Sequence, residues 1–335
     1  MTATMRTAVC REPGRIALET APVPEPGPPQ VRVRVSLCGI CASDLVVWSG
    51  TDPGRYPYSP GHEFCGVIER VGSAVAGPAP GTRVVINPNL GCGECAACRQ
   101  GRPNLCPALK SRPVKSNGGL SEFVALEAAM AHKVPASLSD AAAAFVEPLS
   151  CAVHAARRAD PAPGSEVLVI GAGMLGLLCG LALRAGDAAP VFVETAERRR
   201  SRATELLQAE AFPPERIEDA GIPRFHTAID CSGNAEAVLS ALSRLAPGGR
   251  LVLAGVPDPA ARPAFSLALV PTRELEIRGS WLNPGTFEDA LRLAESCRDT
   301  LDSLETETFP LSRVNEAFER ARTGEVYRVM VEMAP

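Results

Sequence analysis

Four closely spaced cysteines are the feature that most constrains how this chain can fold. They follow the pattern CxxCxxCx7C, with glycines at several positions around them. Four thiolates complete the tetrahedral coordination of Zn²⁺, and two-residue spacings let successive sulfurs reach one ion across a tight loop. Free or disulfide-paired cysteines are the alternative. We predict a closed structural zinc site that anchors a loop and leaves no position for chemistry, with the ligands Cys92, Cys95, Cys98 and Cys106.

Length and charge favour a soluble enzyme. The 335 residues suffice for two domains with a ligand cleft between them. The net charge of −4 argues against a nucleic-acid partner. No apolar run reaches membrane-spanning length, so we expect no membrane partner. We find no leader-like segment before Met5, and we expect a cytoplasmic protein whose thiols stay reduced.

The sequence has two regions with different residue patterns. The first third alternates short β-branched runs, such as 30–35 and 66–72, with proline and glycine, which is typical of strands and turns. From Glu166 onward strands alternate with helices, which predicts a six-stranded, doubly wound parallel sheet. The predicted fold class is α/β, with a β-rich catalytic domain (1–153 and 283–335) and a Rossmann domain (154–282). In the second domain we predict strands at 167–170, 191–193, 227–231, 250–256 and 275–279, a turn at 247–249, and helices at 174–184 and 235–245; further helices are predicted at 286–296 and 314–322.

A glycine motif, GxGxxG, lies where a predicted strand ends and a helix begins. Its glycines permit a tight turn and a close approach of the backbone, and the helix N-terminus offers free N–H groups to a pyrophosphate. A loop without a ligand is the alternative. We predict that the motif binds NAD(P) through Gly171, Gly173, Met174, Leu175 and Gly176.

An acidic residue follows at the end of the next predicted strand. Glu194 lies eighteen residues after Gly176. A carboxylate there can hold both ribose hydroxyls of adenosine and repel a 2′-phosphate, which favours NAD. Arg198 and Arg199, one turn onward, are the opposing signal, because they could accept that phosphate. We therefore predict NAD as the cofactor and keep NADP open.

Three stretches of the first domain carry candidate ligands for a second metal: 39–44, 61–66 and 146–149. A thiolate, an imidazole and one or two carboxylates from separate loops would hold zinc with one position open. Each has an ordinary alternative. Cys41 could be a small buried side chain, His62 a hydrogen-bonded core histidine, and Glu147 a solvated charge.

Together these motifs resemble the zinc-containing medium-chain alcohol dehydrogenases, in the polyol (sorbitol), threonine and aminocyclitol dehydrogenase branch. The resemblance covers nearly the whole chain and implies a GroES-like catalytic domain. It rests on GICxSD at 39–44, GHExxG at 61–66, the four cysteines, the glycine pair 118–119, EPL at 147–149, GxGxxG, and the Asp230-Cys231-Ser232-Gly233 turn.

The resemblance implies roles for single residues. Cys41, His62 and Glu63 would hold the catalytic zinc, with Glu147 as a ligand that exchanges with water or substrate. Cys41 stands two residues before the Ser-Asp pair, as in the family, so Cys38 would be an extra buried thiol. Ser43 would pass the alcohol proton, and Asp44 would orient His62 through its other ring nitrogen.

The reaction implied by the resemblance is hydride transfer between a secondary alcohol and NAD(P). Zinc lowers the pKa of the alcohol hydroxyl, and hydride moves to the nicotinamide. Ser232 and Arg328 would contact the cofactor, the latter near its phosphate; a surface salt bridge is the alternative for Arg328.

Two segments depart from the family pattern. Many members carry a histidine five residues after the zinc cysteine, and here Val46 stands there. The proton relay must then end at water or at Glu147. The stretch between Leu207 and Thr227 is shortened, which we interpret as a reduced helix and loop on the outer face of the Rossmann domain.

With Glu63 and Glu147 the ligand set is more anionic than a two-cysteine site and resembles that of enzymes that oxidise secondary hydroxyls of polyols or sugars. The resemblance implies a hydroxyl-rich substrate (a polyol, sugar, cyclitol or aminocyclitol), with the corresponding ketone as product. Candidate pocket residues are Trp48, Tyr56, Trp281 and Asn283, with core packing or an interface as the alternative.

A zinc-free enone or quinone reductase and a noncatalytic nucleotide-binding protein are the competing hypotheses of function. We also expect a homodimer or homotetramer that pairs through the last Rossmann strand.

Overall fold

The computed structural model describes residues 3–51, 56–111, 118–218, 224–258 and 260–333. The chain divides into two compact units. One comprises Met1–Glu147 with Ala290–Pro335, and the other comprises Pro148–Asp289. Both divisions fall within helices, whereas the sequence placed them at 153/154 and 282/283. The bounds of the predicted domains therefore differ from those of the compact units by a few residues.

The elements that precede the first division form strands with three short helices. Two 3₁₀ turns lie among them, at Pro103–Leu105 and Ala128–Met130. The strands and helices are β1 (Thr4–Glu12), β2 (Arg15–Pro22), β3 (Gln30–Gly39), α1 (Ala42–Trp48), β4 (Glu63–Val71), β5 (Arg83–Ile86), β6 (Asn89–Leu90), α2 (Ala96–Arg99), β7 (Lys110–Ser111), β8 (Phe123–Glu127), β9 (Ala131–Lys133) and α3 (Asp140–Ala144).

Strands and helices then alternate through the second unit, with helices at each division. A 3₁₀ turn spans Pro214–Glu218. These elements are α4 (Val146–Ala159), β10 (Glu166–Ile170), α5 (Met174–Ala185), β11 (Ala189–Val193), α6 (Glu197–Leu207), β12 (Ala211–Phe212), β13 (Phe225–Asp230), α7 (Ala235–Arg244), β14 (Leu245–Leu253), α8 (Leu269–Thr272), β15 (Glu276–Gly279) and α9 (Phe287–Ser296).

The last segment belongs to the first unit. It contains a 3₁₀ turn at Leu311–Arg313 and adds two strands to the sheet there. Its elements are α10 (Arg298–Asp302), β16 (Thr306–Pro310), α11 (Val314–Thr323) and β17 (Arg328–Glu332). The predicted helices at 286–296 and 314–322 correspond to α9 and α11 within one residue at each end.

The main sheet of the first unit is built around β3. Its strand order is β16-β17-β3-β4-β5-β9, and β8 also pairs with β3. Val31, Val33 and Val35 alternate along β3 and are at most 1% exposed, as the period of a strand with one buried face requires. The antiparallel pairing of β3 with β4 sets Gly39 opposite Glu63. The segments 39–44 and 61–66, which carry candidate metal ligands, are thereby brought side by side.

The sheet of the second unit is parallel and six-stranded, with the order β12-β11-β10-β13-β14-β15. Residues 167–170 of the central strand β10 are all buried, which is typical of a parallel strand covered on both faces. The predicted α/β class, with a β-rich domain and a doubly wound Rossmann domain, is confirmed.

Two details of the second unit differ from the sequence expectation. The predicted turn at 247–249 lies inside β14, where the pairing with β13 is irregular and Gly248 adopts a φ of +74°. Glycine tolerates that left-handed bend, so the strand continues through it. The shortened stretch after Leu207 supplies the edge strand β12 and a 3₁₀ turn; part of it, at 219–223, lies outside the described residues.

Candidate functional site

Three donor groups converge in the first unit. Cys41 immediately precedes α1, His62 precedes β4, and Glu63 is the first residue of β4. The pairing of β3 with β4 brings the segment after Gly39 alongside His62 and Glu63. One donor atom from each of Cys41, His62 and Glu63 lies within 4.8 Å of the other two. The three side chains can therefore reach one shared cation.

The surroundings of this cluster fit a metal ion. Within the described part of the chain, Glu63 Oε1 is buried without a hydrogen-bond partner. Such atoms are costly unless a partner compensates them. Burial alone would lower the pKa of His62, but Asp44 and Cys41 together outweigh burial and raise this pKa well above its ordinary value. The pocket thus favours a positive charge, and sulfur, imidazole and carboxylate are ligands that Zn²⁺ accepts.

Asp44 connects the two segments that carry these donors. It is fully buried, and its Oδ2 accepts the backbone N–H of Cys41 at 3.0 Å and lies 3.6 Å from His62 Nδ1. Burial acts to raise the pKa of Asp44, but His62, the Tyr58 hydroxyl and the Cys41 amide hold it below its ordinary value. An ionised carboxylate beside Nδ1 leaves Nε2 as the free ring nitrogen, as the predicted orienting role requires.

The two neighbouring cysteines have different surroundings. Cys38 is completely buried in β3, its thiol lies 3.5 Å from the Gly39 carbonyl, and burial raises its pKa well above the ordinary value. Its sulfur is not among the converging donor atoms of the described residues. Cys41 is half-buried and belongs to the cluster. A neutral thiol at Cys38 and a ligand at Cys41 agree with this arrangement.

Arg328 lies beside the metal cluster. Its Nε is 3.2 Å from Glu63 Oε2, and its Nη1 donates to the Ile40 carbonyl at 2.9 Å. A side chain on Gly39 would stand 2.7 Å from Glu63 Oε2, so glycine leaves room for this carboxylate. The alternative interpretation of Arg328 is a surface salt bridge. The ion pair with Glu63 is present, but it does not lie at the surface, because both side chains are buried. The contact with cofactor phosphate stays a prediction.

Glu147 approaches the same cluster from α4. It is 5% exposed, and burial raises its pKa to about 7; Glu63 acts in the same direction, while His62 and Arg328 oppose it. Its carboxylate does not belong to the group of three converging donors among the described residues. The role of an exchanging ligand stays a prediction.

Ser43, the residue predicted to pass the alcohol proton, lies on α1. Ser43 is exposed two residues after Cys41, and Val46 is 46% exposed at the place where relatives carry histidine. Neither Ser43 nor Val46 supplies a base that could replace that histidine. The predicted role of Ser43 is not tested by these contacts.

The four-cysteine lobe brings its sulfurs together. Donor atoms of Cys92, Cys95, Cys98 and Cys106 all lie within 4.8 Å of one another, and the Cys92 and Cys98 sulfurs are 4.0 Å apart. A side chain on Gly91 would stand 2.8 Å from the Cys98 sulfur, so glycine permits this close approach.

Backbone N–H groups point at these sulfurs. The amides of Cys92, Cys95 and Cys98 lie 3.4 Å from the sulfurs of Cys106, Cys92 and Cys95, respectively. The amides of Glu94 and Cys95, with a contribution from the Cys106 side chain, lower the pKa of Cys92 to about 7. N–H groups aimed at sulfur favour the thiolate that a metal requires. The lobe therefore fits a closed Zn²⁺ site.

The glycine motif forms the turn between β10 and α5. Gly171 adopts a φ of +93°, and Gly173 caps the helix that begins at Met174. A side chain on Gly176 would stand 1.9 Å from the Gly171 carbonyl oxygen, so helix and turn pack too closely for any other residue. Leu175 follows in the first turn of α5. The conformation is the one expected of a pyrophosphate-binding loop.

A cavity of about 560 Å³ adjoins this loop. Its lining includes Gly171, Gly173, Glu194, Arg199 and Ser232. Ser232 is fixed by its hydroxyl, which donates to Asp230 Oδ1 at 2.7 Å. The structure thus brings most of the predicted cofactor residues of this unit to one cavity.

Glu194 has a second task that sequence reasoning missed. Its carboxylate accepts the backbone N–H groups of Ala172 and Ala196, both at 2.9 Å, and thereby ties the glycine loop to the end of β11. Burial acts to raise its pKa, but these amides hold it below the ordinary value. Arg199 Nη1 lies 4.0 Å from Glu194 Oε2. The predicted bond to ribose stays a prediction.

The proposed pocket residues have structural roles in this conformation. Trp48 is 5% exposed and packs against Phe318, with ring centroids 5.8 Å apart. Tyr56 donates to the Val47 carbonyl, and Asn283 donates to Ser150 Oγ at 2.8 Å. Trp281 is 52% exposed. Core packing accounts for Trp48 and Asn283.

In the described ranges, no helix combines the length and the apolar character needed to cross a membrane.

Comparison with known proteins agrees with both units. Residues 27–136 match the family model of the alcohol dehydrogenase GroES-like domain, and residues 175–296 match that of the zinc-binding dehydrogenases. The chain is similar to a sorbitol dehydrogenase of Bacillus subtilis (strain 168), with 32% identity over 98% of this chain and 97% of the relative. It is also similar to the L-galactonate-5-dehydrogenase of Escherichia coli (strain K12), with 31% identity over 95% of each.

A solved structure extends the comparison to the full fold. A putative zinc-binding dehydrogenase from Sinorhizobium meliloti 1021, bound to NADP, superposes with a TM-score of 0.92 and 28% identity over 99% of this chain and 100% of that one. With its GroES-like and Rossmann units and its relatives above 30% identity, the chain belongs to the zinc-containing medium-chain alcohol dehydrogenases, in their polyol branch, and is an NAD(P)-dependent enzyme of that class.

Proposed function

We propose that this enzyme oxidises a secondary hydroxyl of a polyol or sugar derivative, and reduces the ketone in reverse, at the cluster of Cys41, His62 and Glu63. The observation that carries the proposal is the convergence of one thiol, one imidazole and one buried carboxylate, with a donor atom of each within 4.8 Å of the others. The two relatives are named as dehydrogenases of sorbitol and of L-galactonate, and these names support a hydroxyl-rich substrate. The intact donor set argues against a zinc-free reductase.

The residues of the cluster divide the work. Zn²⁺ held by Cys41, His62 and Glu63 would supply a Lewis acid that lowers the pKa of a hydroxyl or polarises a carbonyl. Asp44 keeps His62 in one ring orientation. Arg328 neutralises part of the negative charge of Glu63. The protein thereby holds the donors in place before substrate arrives.

Proton removal falls to residues next to the cluster. Ser43 is the candidate for contact with the alcohol hydroxyl, and Glu147 or water is the candidate acceptor, because Val46 replaces the histidine of many relatives. Glu147 is buried within electrostatic reach of His62 and Glu63, which supports its inclusion in the site.

For the cofactor we propose NAD over NADP. Nicotinamide would accept the hydride, and the loop of Gly171, Gly173 and Gly176 would hold the pyrophosphate. The buried carboxylate of Glu194 opposes a 2′-phosphate, while Arg199 at 4.0 Å partly offsets that effect.

A cytoplasmic location and an oligomeric state complete the proposal. Thiolates reserved for zinc persist in a reducing compartment. The strand β15 ends the parallel sheet, and Ile277 on it is 43% exposed, which supports pairing with a second copy across a twofold axis. Sedimentation of the purified protein distinguishes a dimer or tetramer from a monomer, and a monomer would contradict this part.

Replacing the proposed cysteine ligand tests the catalytic cluster. Cys41→Ser is expected to remove one zinc per chain and to lower kcat/KM by more than about 100-fold, since loss of a direct ligand should exceed the loss of a supporting contact. Cys38→Ser is the matched control and should keep both zincs. Elemental analysis and initial rates are the measurements. The reverse pattern, with zinc lost only from Cys38→Ser, would contradict the assignment.

Replacing a lobe cysteine tests the structural site. Cys95→Ser is expected to lose a different zinc and to lower Tm by roughly 5 °C or more, because binding of the ion contributes to folding. Cys297→Ser, a half-buried cysteine outside both clusters, is the control. Calorimetry with zinc analysis measures both effects. An unchanged Tm and zinc content in Cys95→Ser would rule out a structural ion in the lobe.

Two changes at Glu194 separate its two tasks. Glu194→Ala is expected to raise KM for NAD about 10-fold, the cost of a charge-assisted hydrogen bond, and to raise KM for NADP less. Glu194→Gln should lose the discrimination by charge and disturb the loop less than Glu194→Ala. The amides of Ala172 and Ala196 bind different oxygens of the carboxylate, so glutamine leaves an acceptor for only one of them. Steady-state kinetics with both cofactors measure this. An equal loss for NAD and NADP in both variants would show that Glu194 serves only the loop.

A further inference from the structure

One buried carboxylate joins both segments of the proposed metal site. Oδ2 of Asp44 accepts the N–H of Cys41 at 3.0 Å and faces His62 Nδ1 at 3.6 Å. Oδ1 receives the N–H of Gly61 at the longer distance of 3.3 Å. The orientation of this carboxylate therefore affects the positions of Cys41 and His62 together.

A tyrosine hydroxyl supplies the remaining partner of that carboxylate. Tyr58 is 3% exposed, and its hydroxyl donates to Asp44 Oδ1. Its own backbone is fixed by two hydrogen bonds to Cys10, at 2.7 and 2.8 Å, which attach it to β1. The Tyr58 hydroxyl, whose backbone is bonded to β1, thus holds Oδ1 of Asp44, while Oδ2 of Asp44 is directed at Cys41 and His62.

We propose that Tyr58 is a positioning residue of the metal site: its hydroxyl fixes the Asp44 carboxylate, which in turn fixes Cys41 and the ring of His62. The inference rests on the proposed function of the Cys41, His62 and Glu63 cluster. Without the hydroxyl, Oδ1 keeps, among the described residues, only the long contact to Gly61, and a buried carboxylate short of partners reorients to recover them. Its hold on His62 then weakens.

The test is the affinity of the catalytic zinc. In Tyr58→Phe, the concentration of a competing chelator that removes this zinc is expected to fall about 10-fold, the lower end of the range for residues that support a metal ligand. Zinc of the four-cysteine lobe should be retained. The absorption bands of Co²⁺ substituted at the cluster are expected to shift, since the His62 ring moves.

Tyr56→Phe is the matched control. It removes a tyrosine hydroxyl two residues away that donates to the Val47 carbonyl, near the C-terminal end of α1. Zinc affinity in this variant should equal that of the unaltered protein. A loss in Tyr58→Phe no greater than in Tyr56→Phe would overturn the proposal.

A double-mutant comparison distinguishes positioning from general packing. Asp44→Ala removes the carboxylate through which Tyr58 acts, so adding Tyr58→Phe should change the zinc affinity less than about 2-fold. A full additional 10-fold loss would overturn the proposal, as would a Tyr58→Phe variant whose Tm falls with no selective loss of zinc. If the unaltered protein has no chelator-sensitive zinc that Cys41→Ser abolishes, the proposed function fails first, and this inference fails with it.

Discussion

The antiparallel register of β3 with β4 is the constraint on which the metal site depends. It sets Gly39 opposite Glu63 and so places the Cys41 segment beside His62. The fit is close: a side chain on Gly39 would stand 2.7 Å from the Glu63 carboxylate, and one on Gly66 would stand 2.2 Å from the Arg34 carbonyl. A shift of one residue would turn Glu63 to the other face of the sheet. Strand pairing thus fixes the donors before any ion binds.

The register also concentrates negative charge where water is scarce. Asp44, Glu63 and Glu147 are each at most 5% exposed, and the Cys41 thiol lies among them. Buried carboxylates cost several kcal/mol each unless they are compensated. Arg328 compensates Glu63, and hydrogen bonds from Tyr58, Cys41 and Gly61 compensate Asp44. Among the described residues, Glu63 Oε1 has no hydrogen-bond partner, and a divalent cation would meet that need.

Sequence reasoning succeeded where chemistry is local. The four-cysteine lobe and GxGxxG each lie within one short segment, and so does each single strand or helix of the βαβ alternation, so local pattern and spacing predict their conformation. The resemblance to a family added Cys41, His62 and Glu63, which come from separate segments. Tyr58 escaped notice because it reaches Asp44 only through the tertiary fold, and no spacing rule connects them. The burial of Arg328 and the loop-tying bonds of Glu194 depend likewise on contacts between distant segments.

The most direct test of the central claim is the zinc content of freshly purified protein, measured with its turnover of polyols, sugars, cyclitols and aminocyclitols in the presence of NAD. Two zincs per chain, with reduction of NAD by at least one secondary alcohol, is the predicted result. One zinc per chain and no turnover would contradict the account, because the lobe would then hold its ion while the cluster of Cys41, His62 and Glu63 held none.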